Sequence, residues 1–190
     1  MLGWLRRYAA HPDPATAAAN LVALVVAGNG PFYPVYALAL IGWDHGGAWL
    51  TMLASPFFAL VLALARRGSS TGRAAMPLIG VVNTVWCAVL LGTASAVGLF
   101  MLPCIVLAAL LFRDDERWLM WWVIGLAVGA LVWLTEFPLR GLMDLTDAHE
   151  AALARLDAIS VATLSGFVAL RMANLVNLSR CAGEVETRQR

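Results

Sequence analysis

Three histidines (His11, His45, His149) and three cysteines (Cys87, Cys104, Cys181) are the side chains best suited to ligating a metal or acting as nucleophiles. Their spacing assembles neither chemistry. The cysteines fall in two apolar stretches and near the C-terminal end, without CxxC spacing or a nearby histidine, so neither a zinc site nor a disulfide framework is implied. His149 lies among Asp144, Asp147 and Glu150, and with His45 on the same side these letters would suit an external metal site. Helix capping and a solvated face explain the same letters and are the preferred reading. Haem would need histidines at facing depths within apolar segments, and none is so placed. No nucleophile–base pair, phosphate-binding loop or cofactor fingerprint stands out. No catalytic residue, resident metal or cofactor is therefore expected.

Whatever chemistry the chain performs must be positioned by helices in lipid. Of 190 residues, 61% are hydrophobic and 13% charged, with a mean hydropathy of +0.77, far from the balance of an ordinary water-soluble domain. A net charge of +1 gives no basic field for nucleic acid, and all the basic residues are arginine. Uninterrupted apolar length predicts an all-α, polytopic membrane bundle of about six transmembrane helices at residues 17–41, 48–65, 74–93, 97–112, 118–135 and 158–176. The third and fourth are separated only by Gly92-Thr93-Ala94-Ser95. They are split because 74–112 is about twice the length a bilayer needs at about 1.5 Å per residue. The N-terminal residues, with Arg6 and Arg7, resemble a signal-peptide start, but the apolar run that follows is too long and is expected to be a retained first span.

Arginine placement orients this bundle. Six spans put Arg6, Arg7, the 66–73 loop, Arg113, Arg117, Arg180, Arg188 and Arg190 on one side. The other side carries Arg140 and Arg155 among Glu136, Asp144, Asp147, Glu150 and Asp157. By the positive-inside rule both termini are cytoplasmic, in a plasma (inner) membrane, multi-pass arrangement. The expected organisation is a cytoplasmic N-terminal segment (1–16), a six-helix transmembrane domain (17–178) and a cytoplasmic helical tail (179–190). Asp147 with Glu150 reads as a helix-start pair, so the last helix is expected to begin outside the membrane. Leu175, Leu178, Ala182 and Val185 keep a three-four spacing that would carry it into the cytoplasm.

Polar groups and helix breakers within spans need satisfied partners in hydrocarbon, and function is sought at them first. Asn29, Pro31, Tyr33, Pro34 and Tyr36, with Gly28 and Gly30, predict a kinked or locally unwound first helix, which is either a packing kink or a cavity wall. Asn83, beside Trp86, suits an interhelical hydrogen bond or a ligand contact. Pro56, Pro77 and Pro103 give the next three spans reason to bend, so cavities between the first four helices are expected. Gly125 and Gly129 form a small-xxx-small pair, expected to serve packing within the chain, with homodimerisation as the alternative. Tryptophans 118, 121 and 122 on one side, and 43 and 49 on the other, fit interfacial belts. Arg171 is expected to snorkel or to pair inside the bundle, and no acid within the spans offers itself as a partner, which weighs against proton-coupled transport.

The run Asn83-Thr84, Leu91-Gly92, Ser95, Leu99-Phe100-Met101-Leu102-Pro103, Leu110-Leu111-Phe112-Arg113 and Glu116-Arg117 resembles the six-span N-terminal membrane modules of bacterial class III adenylate cyclases and quorum-sensing-type sensor histidine kinases. The resemblance covers about a third of the chain, and Asn83, Gly92, Phe100 and Pro103 carry over. It implies a receptor or regulatory anchor that passes a signal through its last helix to a cytoplasmic enzyme. Here that enzyme is expected on a separate partner, or on a longer chain of which these residues are part. The expected function is an integral membrane sensory module that binds a small apolar ligand through Asn29, Pro31, Tyr33, Pro34, Tyr36, Asn83, Trp86, Phe100 and Pro103. It would signal through a face including Gly125, Gly129, Arg171, Leu175 and Leu178 to a homodimer mate or to a cytoplasmic or membrane effector. A small-solute transporter or channel is the alternative, and a membrane enzyme using 144–150 a third reading.

Overall fold

The computed structural model describes residues 9–189, with side chains as far as Asn174. Leu175 and Leu178, singled out above for signalling, have side chains outside this range. Among the described residues the regular structure is entirely helical: α1 (Pro14–Asn29), α2 (Tyr33–Ile41), α3 (Ser55–Arg67), α4 (Ser69–Leu91), α5 (Met101–Leu111), α6 (Arg117–Glu136) and α7 (Asp147–Gln189), joined by short 3₁₀ turns. Five stretches are long and apolar enough to cross a membrane: Pro14–Ile41, Gly46–Arg67, Ser69–Leu91, Asp114–Glu136 and Asp147–Asn174. The expected fourth span is a shorter helix, Val97–Leu111. The four residues of Val97–Phe100 and the eleven of α5 reach only about 22 Å, against a hydrocarbon core of about 30 Å.

The chain runs back and forth between two ends. At one end the starts of α1, α4 and α6 meet, where Asp13, Arg73 and Glu116 pair. Beside them Ala18, Ala19, Val22, Leu62, Met76 and Leu111 pack with Val168 and Met172 of α7. At the other end Leu38, Ile41, Leu90, Leu91 and Leu153 form a second cluster, and a third joins α4, α5 and α6 through Ala88, Met101, Cys104 and Ala127. Much of the remaining apolar surface faces outward. Only 17% of the apolar window in Asp114–Glu136 is buried, and Trp118, Trp121, Trp122, Leu126 and Val132 are exposed along it. An outside this apolar is a surface for lipid, as in a membrane-embedded protein.

The expected break in the first span is a tightening rather than an unwinding. A single 3₁₀ turn, Gly30–Phe32, separates α1 from α2, where Pro31 and Pro34 cannot donate to the helix ladder. A Cβ at Gly30 would run into the Ser55 hydroxyl and stand 3.2 Å from the Ser55 Cβ, so the kink lies directly on the start of α3. Pro56 follows the 3₁₀ segment Gly46–Ala54, and Pro103 follows Val97–Phe100, whereas α4 continues through Pro77. The connection after α6 folds over the end of α4. The amides of Leu142 and Met143 donate to the carbonyls of Val89 and Leu90 at 2.9 and 3.1 Å, filling acceptors that a helix end leaves open. Gly92 (φ 84°) turns the chain away there, and α7 starts at Asp147 as expected. Its cap is Thr146, not Asp147: the Thr146 hydroxyl accepts from the His149 amide at 3.3 Å.

Gly125 and Gly129 do not serve packing within the chain. Both are exposed, and a Cβ at either would meet nothing within 4 Å. Their helix lies at the edge of the bundle, against α5 and α4, and presents the glycines outward.

Candidate ligand cavity

Placing a 3₁₀ turn in the first helix, and another at the start of the second, leaves space that the side chains do not fill. A cavity of about 490 Å³ lies there, within the range typical of small-molecule sites. The kinked helix contributes Val25, Val26, Asn29, Gly30, Tyr33 and Tyr36. The second span adds Thr51, Ala54, Ser55 and Phe58, α4 adds Asn83, Thr84 and Cys87, and Val97 and Phe100 close one side. The remaining wall is α7, through Leu156, Ile159, Ser160, Thr163, Leu164 and Phe167. Val25, Asn29, Tyr36, Ile159 and Thr163 are exposed as well as lining, so the cavity opens on the flank of the bundle between the kink and α7.

Of the residues singled out from sequence, Asn29, Tyr33, Tyr36, Asn83 and Phe100 are brought together in this wall, and Pro31, Pro34, Trp86 and Pro103 are not. The prolines act on the backbone, which is why they stand beside the cavity: Pro31 is exposed, while Pro34 and Pro103 are buried in packing. Trp86 turns the other way, and its Nε1 donates to the Leu50 carbonyl at 3.0 Å. Asn83 accepts from the Cys87 thiol across one helical turn at 3.7 Å. The expectation of a cavity among the first four helices omitted one whole wall, the last helix.

Behind Tyr33 lies a group missed in the sequence. Asp157 on α7 is fully buried, in contrast to its expected place in a solvated outer segment. The Tyr33 hydroxyl donates to its Oδ1 at 2.9 Å, while Oδ2 is buried with no hydrogen-bond partner. Helical phase carries the signal for this. Asp157 falls four residues after buried Leu153 and four before buried Val161, on the inward face of α7.

A second polar centre closes the end of the bundle where α1 begins. Arg73, expected in a solvated loop, is 2% exposed and lies one turn into α4. Its guanidinium pairs with Asp13, donates to the Thr16 hydroxyl at 3.1 Å, and reaches both carboxylate oxygens of Glu116 at 2.5 and 2.6 Å. Arg113 adds a 3.0 Å bond to Asp13. Asp13 also caps α1 by accepting from the Thr16 amide at 3.1 Å. Burial disfavours the Asp13 carboxylate, but the Thr16 hydroxyl, Arg73, the Thr16 amide and Arg113 together outweigh it and hold its pKa below the ordinary 3.8. These bonds tie three helix starts into one clamp.

At the opposite end His45 and His149 share a side, as expected, with ring centroids 5.3 Å apart in an edge-to-face contact. Among the described residues no group of three His, Cys, Asp or Glu side chains is arranged to hold a metal ion. Arg171 is half-buried, and its Nε has no hydrogen-bond partner. No protein-family model matches this chain, and neither a curated protein nor a solved structure is similar to it.

Proposed function

We propose that this protein is a sensory or regulatory membrane module that admits a small, largely apolar ligand to the flank cavity and reports occupancy through α7 to a partner. One observation carries the reading: α7 is at once a wall of the cavity and an unbroken helix of 43 residues. At about 1.5 Å per residue it is about 65 Å long, roughly twice the hydrocarbon thickness. A ligand that packs against Ser160 and Phe167 prefers one position of this helix over another, which is the differential affinity any transmitted signal requires. The opening between α1 and α7 suits entry from the bilayer.

In this reading the five long helices and the short Val97–Leu111 helix make six passes, local thinning of the bilayer accommodating the short one. Both termini then lie in the cytoplasm of a multi-pass inner-membrane protein, with the Asp13–Arg73–Glu116 clamp at the cytoplasmic face. The partner is a second copy or a cytoplasmic or membrane effector, as the resemblance to cyclase and kinase membrane modules implies. Ending the chain after Leu178 is expected to leave the detergent-solubilised fold intact and to abolish association with the partner. Unchanged association in cross-linking would count against transmission through α7.

Small-solute transport is the second reading, and a specific observation favours it. The argument against proton coupling rested on the absence of an acid within the spans, and Asp157 is a fully buried one. Proteoliposome flux separates the two readings, because a sensor has no turnover.

A further inference from the structure

The polar groups of the cavity restrict what it can hold. A hydroxyl owns one proton, and once that proton is given away within the protein the oxygen can only accept from a ligand. Four of the seven hydroxyls of the wall are in this state, whereas Tyr36, Ser55 and Ser160 and the Asn29 and Asn83 amides keep donors for a ligand. Tyr33 donates to Asp157, Thr51 to the Ala48 carbonyl at 2.7 Å, Thr84 to the Gly80 carbonyl at 2.8 Å, and Thr163 to the Ile159 carbonyl at 2.8 Å. No Arg or His lines the cavity.

A buried carboxyl group adds the second constraint. Asp157 stands one side chain behind the wall, joined to it by the Tyr33 hydroxyl, with its other oxygen unpartnered. Its neighbours Leu156 and Ser160 both line the cavity. A carboxylate buried without a counter-charge is costly, so this group either takes up a proton or is met by a cation, and no described basic residue is hydrogen-bonded to it. Tyr33, Tyr36, Phe58, Phe100 and Phe167 make part of the wall aromatic, which suits a cation beside apolar bulk.

We propose that the ligand is a lipophilic amine, whose protonated nitrogen donates to the Tyr33 hydroxyl against the Asp157 carboxylate while its apolar body fills the aromatic part of the cavity. This rests on the reading of the cavity as a ligand site and gives that ligand a chemical class. Anions are disfavoured because no positive charge faces them, although Asn29, Asn83, Tyr36, Ser55 and Ser160 keep donors in the wall. Neutral alcohols of the same shape gain the apolar contacts but not the charge.

An isosteric series tests it on the full chain in detergent: tryptamine, tryptophol and indole-3-acetate, read by saturable binding in calorimetry. Tryptamine is expected to bind about tenfold or more tighter than tryptophol, as a charge-assisted hydrogen bond would provide, and indole-3-acetate most weakly. Asp157→Asn and Tyr33→Phe should each remove the amine-over-alcohol preference. If Asp157→Asn does not fold, Tyr33→Phe and the wild-type series still decide. Equal affinity for amine and alcohol, or a preference that survives both substitutions, overturns the amine assignment and keeps the cavity as a ligand site. No saturable binding of any of the three overturns both.

Discussion

Arg73 is the residue on which the end of the bundle depends. It is buried, yet its two terminal nitrogens serve different carboxylates, Asp13 from the first helix and Glu116 from the approach to α6. Removing it leaves two poorly solvated acids facing each other, and breaking a buried pair in this way costs about 3–5 kcal/mol. Arg73→Met should therefore lower unfolding stability in detergent by about 3 kcal/mol. Arg73→Lys should rescue little of it, because one ammonium cannot bridge both partners as the guanidinium fork does. A lysine variant as stable as wild type would refute the two-sided geometry. Asp13 makes the same clamp sensitive to acid. Its folded-state pKa lies below its unfolded value of 3.8, so its contribution is complete above the unfolded value and is lost as pH falls through the folded one. The thermal midpoint of the wild type should drop more steeply below about pH 4 than that of Asp13→Asn.

Among the elements, the kinked first helix and the outward glycines give opposite expectations for the same kind of change. Gly30→Ala forces a methyl against Ser55, and overpacking of this sort costs about 1–3 kcal/mol. Gly129→Ala meets nothing, and as a helix-interior glycine replacement it should stabilise α6 by up to about 1 kcal/mol. Equilibrium unfolding of the two variants should thus move in opposite directions. Sequence reading reached the kink because two prolines and two glycines within one apolar span have few other uses, and it reached the start of α7 from its capping letters. Asn29, Tyr33, Asn83 and Phe100 stood out for the same reason, as costly or aromatic groups in hydrocarbon. The α7 wall did not stand out, since Leu156, Ile159, Ser160 and Thr163 are ordinary in an apolar helix. Asp157 was hidden by company: acids at 144, 147 and 150 suggested a solvated run, and only its register with Leu153 and Val161 reveals that it turns inward. Arg73 was hidden likewise among the solvated arginines 66 and 67.

For the whole molecule, hydropathy made the helical class and the membrane environment legible, because length and apolar content alone decide which helices suit lipid. The number of passes was harder, since Val97–Leu111 is apolar but short. Reporter fusions after Gly68, Phe112 and Arg190 should all read cytoplasmic, and fusions after Asp44, Ser95 and Leu142 external. A fusion after Phe112 that reads external would remove the pass of Val97–Leu111 and detach the Arg113 side from the clamp's face. If the cavity takes a ligand as proposed, its opening on the flank and not at an end means that the occupant would be drawn from a two-dimensional reservoir. Occupancy would then follow the mole fraction of ligand dissolved among the acyl chains. Doubling the phospholipid at fixed total ligand should weaken the response of a strongly partitioning compound, even though the protein itself has not changed.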